Sequence, residues 1–270
     1  MKLQIKRRPL LGLLALILTG FLPLAPAVAQ EETPETAEPV VEVLFGSSLW
    51  RKVDNEVQGA YRIEQRTEGE TTQRFLILGD DFTTKAGPDL KVVLSPTAND
   101  EVKGKTALRG STILAPLSRN SGGSEYEIPA RLDLDDFKSV LIHCEKYTKL
   151  WSAAPLEAGQ VVARGTSWTK KSNKISGAWE IAQVGERLEL RLASNFKTKK
   201  GPDLKFVLSP QTVSAASGSN ATTRSLILSP KATHEGAQRF TLPADTELSN
   251  YKSLLVHCEK YSKLWGASAL

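Results

Sequence analysis

The chain has 270 residues, with 35 Lys and Arg against 30 Asp and Glu, a formal charge of +5, and only two cysteines. The positive excess sits in the first 29 residues, which hold four basic residues and no acidic one, leaving 31 against 30 in the remainder. That near balance removes the compositional case for nucleic-acid binding, and two cysteines are too few for the disulfide framework of a small secreted domain.

Residues 1–29 read as a secretory signal peptide. Lys2, Lys6, Arg7 and Arg8 form a basic start, residues 10–24 are apolar, and Ala27-Val28-Ala29 is a small-x-small cleavage site. Pro23 and Pro26 interrupt the apolar run and argue against a membrane-spanning helix. The expectation is an exported protein, periplasmic or extracellular, with no transmembrane anchor once the signal is cleaved. Residues 30–43 carry five Glu and no Lys or Arg, the composition of an acidic disordered linker.

From there the sequence runs twice, as residues 44–156 and 157–270. The pentapeptide His143–Tyr147 returns as His257–Tyr261, 114 residues later. At the same offset Phe82 matches Phe196, Gly87-Pro88-Asp89-Leu90 matches Gly201-Pro202-Asp203-Leu204, and Leu150-Trp151 matches Leu264-Trp265. Copy one has four extra residues between Gly59 and Phe82. Each unit is long enough to bury its own core.

Within a copy the pattern is strand. Residues 60–64 and 187–192 alternate polar with apolar, and Phe75-Leu76-Ile77-Leu78, Val92-Val93-Leu94 and Val140-Leu141-Ile142 are short apolar runs between turn residues. The spacing predicts seven or eight short strands per copy, hence an all-β fold of two tandem antiparallel sandwiches or barrel-like domains. Trp50 and Trp168 open their copies and are expected to plug the sheets; Trp151, Trp265, Tyr147 and Tyr261 are expected to close the cores.

Two segments are retained between the copies. Residues 81–96 against 195–210 keep 12 of 16, residues 136–151 against 250–265 keep 11 of 16, and residues 97–125 against 211–239 keep only 7 of 29. In the first segment Gly-Pro-Asp makes a turn, setting strand register or presenting Asp89 and Asp203 as acceptors near the cysteine. In the second, residues 139–145 and 253–259 read as strands. Alternation then puts Cys144 with Ile142 and Lys146, and turns His143 to the other face. His143 and His257 are therefore poorly placed to act on the adjacent thiols and read as polar residues at strand ends. Lys146, with Lys260 in copy two, stands two residues along on the thiol's face, where an ammonium favours the thiolate. Three readings of Cys144 and Cys258 stand: buried apolar thiols, redox or ligand residues, or a disulfide between the copies. There is no Cys-x-x-Cys, no covalent haem motif, no recurring metal-ligand set and no phosphate loop.

The combined motifs resemble the DM-thirteen domain, the family called electron-transfer DM. The residues that carry this are Phe82-Thr83-Thr84, Gly87-Pro88-Asp89-Leu90, Val93-Leu94-Ser95, Tyr126-Glu127-Ile128-Pro129, Asp136-Phe137-Lys138-Ser139-Val140, Cys144 and Leu150-Trp151. Copy two matches at Phe196, 201–209, 240–243, 250–254, Cys258 and Leu264-Trp265. The resemblance implies an extracytoplasmic β-domain whose one cysteine serves electron transfer, as a bare thiol or as a ligand to a prosthetic group such as haem. The family's domain accompanies DOMON and cytochrome b-type modules in animals and plants. Here two copies stand without such a module, so the donor would be a separate redox partner protein. Trp151 and Trp265 stand where the family pattern expects Phe. The alternative is a non-catalytic module that contacts the cell envelope through its diverged loops, with structural cysteines; residues 157–270 hold 16 basic and 9 acidic residues, a charge of +7. No base, nucleophile and orienter occur at a spacing that would define an enzyme.

Overall fold

The computed structural model describes residues 38–229 and 232–270. The expected signal peptide and residues 30–37 of the expected linker lie outside the described residues.

Copy one folds into two main antiparallel sheets and a two-stranded pair, Val57–Gln58 with Thr83–Thr84. A four-stranded sheet runs in the order Val40–Ser47, Tyr61–Glu68, Thr71–Leu78, Ser124–Ile128, and a five-stranded sheet in the order Arg51–Lys52, Lys149–Pro155, Ser139–Cys144, Leu90–Ser95, Thr112–Pro116. Copy two repeats both orders, with Gln160–Gly165, Trp179–Val184, Arg187–Leu192, Gln238–Thr241 and with Thr169–Lys170, Lys263–Ala269, Ser253–Cys258, Leu204–Ser209, Leu226–Ile227. Among the described residues, strands longer than two residues number eight and seven, as the turn spacing predicts. Each core draws on both sheets of its own copy: Ile63 and Leu76 meet Val92, Leu94 and Ile142 in copy one, and Ile181 and Leu190 meet Phe206, Leu208 and Val256 in copy two. The architecture is therefore two sandwiches. Trp50 closes the first core, with its indole N–H donated to the Gly59 carbonyl at 2.9 Å.

The five-stranded sheet is buried on both faces. Val93, Leu141, Leu150 and Ala153 point away from the sandwich core and pack under Val102 and Ala107 of the loop before Thr112. Copy two does the same with Val207, Leu255, Leu264 and Ala267 under Ala216 and Ala221. Burial on both faces explains why these strands read as unbroken apolar runs.

The expected linker ends earlier than residue 43. Val40–Ser47 is a strand, and Val40, Val41, Glu42 and Val43 pair with Thr67, Arg66, Gln65 and Glu64. The four extra residues of copy one explain this. The hairpin strands Tyr61–Glu68 and Thr71–Leu78 have eight residues each, where Trp179–Val184 and Arg187–Leu192 have six. The longer hairpin offers backbone partners to a segment whose β-branched valines suit a sheet.

The copies meet at the edge strands Val40–Ser47 and Gln160–Gly165. Gly46 donates its N–H to Glu157 at 2.9 Å, and Gly159 donates to Leu44 at 3.0 Å. Beside this seam, the fully buried Glu180 carboxylate of copy two accepts the Ser48 N–H at 2.6 Å and the Ser48 and Ser47 hydroxyls at 2.9 and 3.2 Å. Arg191, also buried, reaches Glu180 at 3.5 Å, Glu189 at 2.7 Å and the Ala158 carbonyl at 2.7 Å. Arg164 of copy two pairs with Asp81 of copy one. Among the described residues no helix is long and apolar enough to cross a membrane.

Candidate functional site: a thiol beneath a bulged tryptophan

Cys144 ends the strand Ser139–Cys144, and Cys258 ends Ser253–Cys258. Val140, Ile142 and Cys144 face the sandwich core while Leu141 faces the outer core. Both thiols are free, and each lies in its own copy's core, Cys144 1 % and Cys258 0 % exposed. The inter-copy disulfide is therefore not formed.

The strand stops one residue sooner than expected. Residues 145–148 form a turn, and 259–261 a single 3-10 turn. Lys146 accordingly does not continue along the thiol's face. It is exposed, with its ammonium 5.8 Å from the Tyr147 ring centroid, and Lys260 stands 6.0 Å from Tyr261. Tyr147 and Tyr261 are 60 % and 63 % exposed, so they do not close the cores. The four-residue turn instead sets Lys149 directly opposite Cys144, and Lys263 opposite Cys258. Residues opposite one another in an antiparallel pair point to the same side. Lys149 is thus the lysine on the thiol's face, and it pairs with Asp54 at 3.8 Å. The signal was present in the sequence, since a lysine five residues after the cysteine is retained in both copies.

The return strand carries a β-bulge. Ile142 faces Ser152 but His143 already faces Leu150, leaving Trp151 as the extra residue; Trp265 is the extra residue between Gly266 and Leu264. A bulge re-aims a side chain. Here Leu150 serves the outer core while Trp151 enters the sandwich core beside Cys144. The indole rests on Gly87. A Cβ there would lie 2.7 Å from Trp151 Cζ2, and one on Gly201 would lie 2.7 Å from Trp265 Cη2. The glycine of Gly-Pro-Asp is needed for the tryptophan, not for an unusual dihedral. Around Cys144 these residues shape a cleft of about 320 Å³, lined by Gly87, Pro88, Cys144, Tyr147, Lys149 and Trp151.

Asp89 and Asp203 do not reach the thiols. Asp89 binds Lys91 at 2.8 Å, and Lys91 continues to Glu145 at 3.5 Å. Asp203, Lys205 and Glu259 repeat this at 3.0 and 3.6 Å. The hydrogen bond that Lys91 donates to Asp89, more than any other influence, holds Lys91 above its ordinary pKa, and the bond from Lys205 to Asp203 does the same for Lys205. The backbone joins in, since Glu145 N–H donates to the Asp89 carbonyl at 2.9 Å and Glu259 to Asp203 at 3.0 Å. These clamps tie the Gly-Pro-Asp turn to the end of the cysteine strand, which is why both segments are retained together.

His143 and His257 lie on the sheet's other face, 0 % and 3 % exposed. Burial pushes both imidazoles below their usual pKa, against the Gly104 backbone and Glu145 at His143 and against Glu259 and Asp203 at His257. Among the described residues, no group of three or more His, Cys, Asp and Glu is placed to hold a metal ion. A haem does not fit the cleft as built. The sulfur is 1 % exposed beside Trp151 and both histidines turn away, so no ligand is presented to a macrocycle.

A family model described as electron transfer DM13 matches residues 51–156 and again residues 168–270. No curated protein and no solved structure matches the chain.

Proposed function

The chain belongs to the electron transfer DM13 family, in tandem, and on that premise we propose that it is an exported module in which Cys144 and Cys258 exchange electrons with a separate redox protein. The observation that carries this reading is the convergence of the two retained segments on each thiol. Gly87, Trp151 and Lys149 surround Cys144 in the first cleft, and Gly201, Trp265 and Lys263 hold the same relation to Cys258. A thiol needed only for packing would not require a bulge, a bare glycine and an ion clamp at its edge.

The test is anaerobic titration of the reduced, exported protein with ferricyanide, followed by absorption and intact mass. The expected outcome is uptake of oxidising equivalents by the wild type and none by Cys144→Ala/Cys258→Ala, with the same circular dichroism. Equal uptake by the double variant would sink the reading. A second reading, an envelope-binding module with structural cysteines, is favoured by the burial of both thiols. It requires the double variant to keep full binding to envelope preparations and the wild-type thiols to stay silent.

A further inference from the structure

The two thiols are framed alike, and the frames are charged differently. Six positions at and around the cleft of copy one are Asp54, Glu56, Lys85, Ala86, Lys146 and Lys149; their counterparts in copy two are Ser172, Lys174, Lys199, Lys200, Lys260 and Lys263. Two acids and three lysines have become five lysines. Asp54, Lys85, Ala86 and Lys149 line the first cleft, and the frame of copy two holds their counterparts alike. Residues 171, 172 and 173 donate their N–H groups to the Trp265 carbonyl at 3.0, 3.0 and 3.1 Å. Lys199 and Lys200 lead into Gly201, which lies against the Trp265 ring, and Lys263 sits opposite Cys258. All five lysines are exposed, and among the described residues none forms a salt bridge. In copy one Asp54 neutralises Lys149; in copy two Ser172 stands there, with its hydroxyl turned to the Leu264 carbonyl at 2.8 Å.

We infer that the surface over Cys258 is the docking surface for an acidic protein, and that the surface over Cys144 is not. This rests on the reading of the cysteines as reactive groups. Clustered, unpaired charge of one sign speeds the encounter with an oppositely charged partner. Lys199, Lys200 and Lys263 stand on the frame of a recessed thiol, and Tyr261 is exposed in the turn beside it. That shape suits an acidic protein surface better than a bilayer.

The test compares the native thiols of the full exported chain by peptide mass after brief labelling. Three probes are used: the dianionic disulfide 5,5′-dithiobis(2-nitrobenzoate), the dicationic disulfide cystamine, and polyglutamate as protectant. In the labelling step the cysteine sulfur forms a mixed disulfide, the reagent's S–S bond breaks, one thiolate leaves and the thiol proton goes to buffer. With the dianion at low salt, Cys258 should react about 10-fold faster than Cys144, and the two should converge at about 1 M salt. Cystamine should reverse the order. Polyglutamate should protect Cys258 alone. The surface substitutions Ser172→Asp, Lys174→Glu and Lys200→Ala together should bring Cys258 to the rate of Cys144. Equal rates with both reagents would overturn the docking surface and leave the redox reading standing. Silence of both thiols would overturn that reading and the docking surface with it. Protection by phosphatidylglycerol vesicles but not by polyglutamate would replace the acidic protein with a membrane.

Discussion

A glycine can be retained for what must lie on it, and Gly87 and Gly201 are of that kind. Neither has a positive φ; what each lacks is room, since an added Cβ would sit 2.7 Å from a rigid indole. Gly87→Ala must therefore push Trp151 off Cys144. Overpacking of this sort costs about 1–3 kcal/mol. The expected outcome is a loss of that size in urea unfolding, a changed tryptophan emission, and a faster maleimide reaction at Cys144 with Cys258 unaffected. Gly201→Ala should do the converse. A variant that is destabilised without any gain in thiol reactivity would mean that Trp151 does not guard the sulfur. At this scale the sequence was legible where parity decides, and less so at strand ends. Alternation separates His143 from Cys144, as found. It misassigns Lys146 because the strand stops at Cys144, and the turn that follows exchanges Lys146 for Lys149. Such an exchange is set by backbone hydrogen bonds across the hairpin, which one strand's pattern does not encode.

At the scale of the element, the five-stranded sheet has a cost on its outer face. His143 and His257 are buried there, and burial depresses both pKa values. An imidazole with a depressed folded pKa binds its proton more readily in the unfolded chain. The stability is therefore present above the ordinary histidine pKa, about 6.5, and is lost as pH falls through the lower folded value. Thermal midpoints should drop as pH falls below the ordinary histidine value and level off below the folded one. His143→Leu with His257→Leu should flatten the drop, because an apolar side chain of smaller demand suits the cores that hold Leu141 and Leu255. An unchanged acid limb in the double variant would place the titration elsewhere. The doubly buried sheet was visible in runs such as Val92-Val93-Leu94. The bulge was not, because an extra residue shows only as a break in pairing register, and the register depends on both strands at once.

The seam between copies belongs to the whole molecule, and there the two copies cease to mirror one another. Glu180 occupies the place that Arg62 holds in copy one, counted from Gly177 and Gly59. The same strand position has opposite charge because one copy meets the seam with it and the other does not. A pairing of this kind exists only once the domains dock. Burial raises the pKa of Glu180, against the Ser48 N–H and Arg191, which favour its charge. For a carboxyl with a raised folded pKa the native state holds the proton longer, so its stability is complete below the ordinary carboxylate range and declines as pH rises through the folded value. What keeps the charged form tolerable above that is Arg191, which also reaches Glu189 and Glu157. Removing the cation from a buried pair costs about 3–5 kcal/mol. Arg191→Met should therefore destabilise the protein by that amount at neutral pH and by much less in acid. Glu180→Gln added to it should restore a large part, since the amide keeps an acceptor for Ser48 and carries no charge. Differential scanning calorimetry of the full chain across pH reads both effects. If Glu180→Gln left the deficit of Arg191→Met untouched at every pH, the arginine would be serving Glu157 and Glu189, and the buried carboxylate of the seam would be held by Ser47 and Ser48 alone.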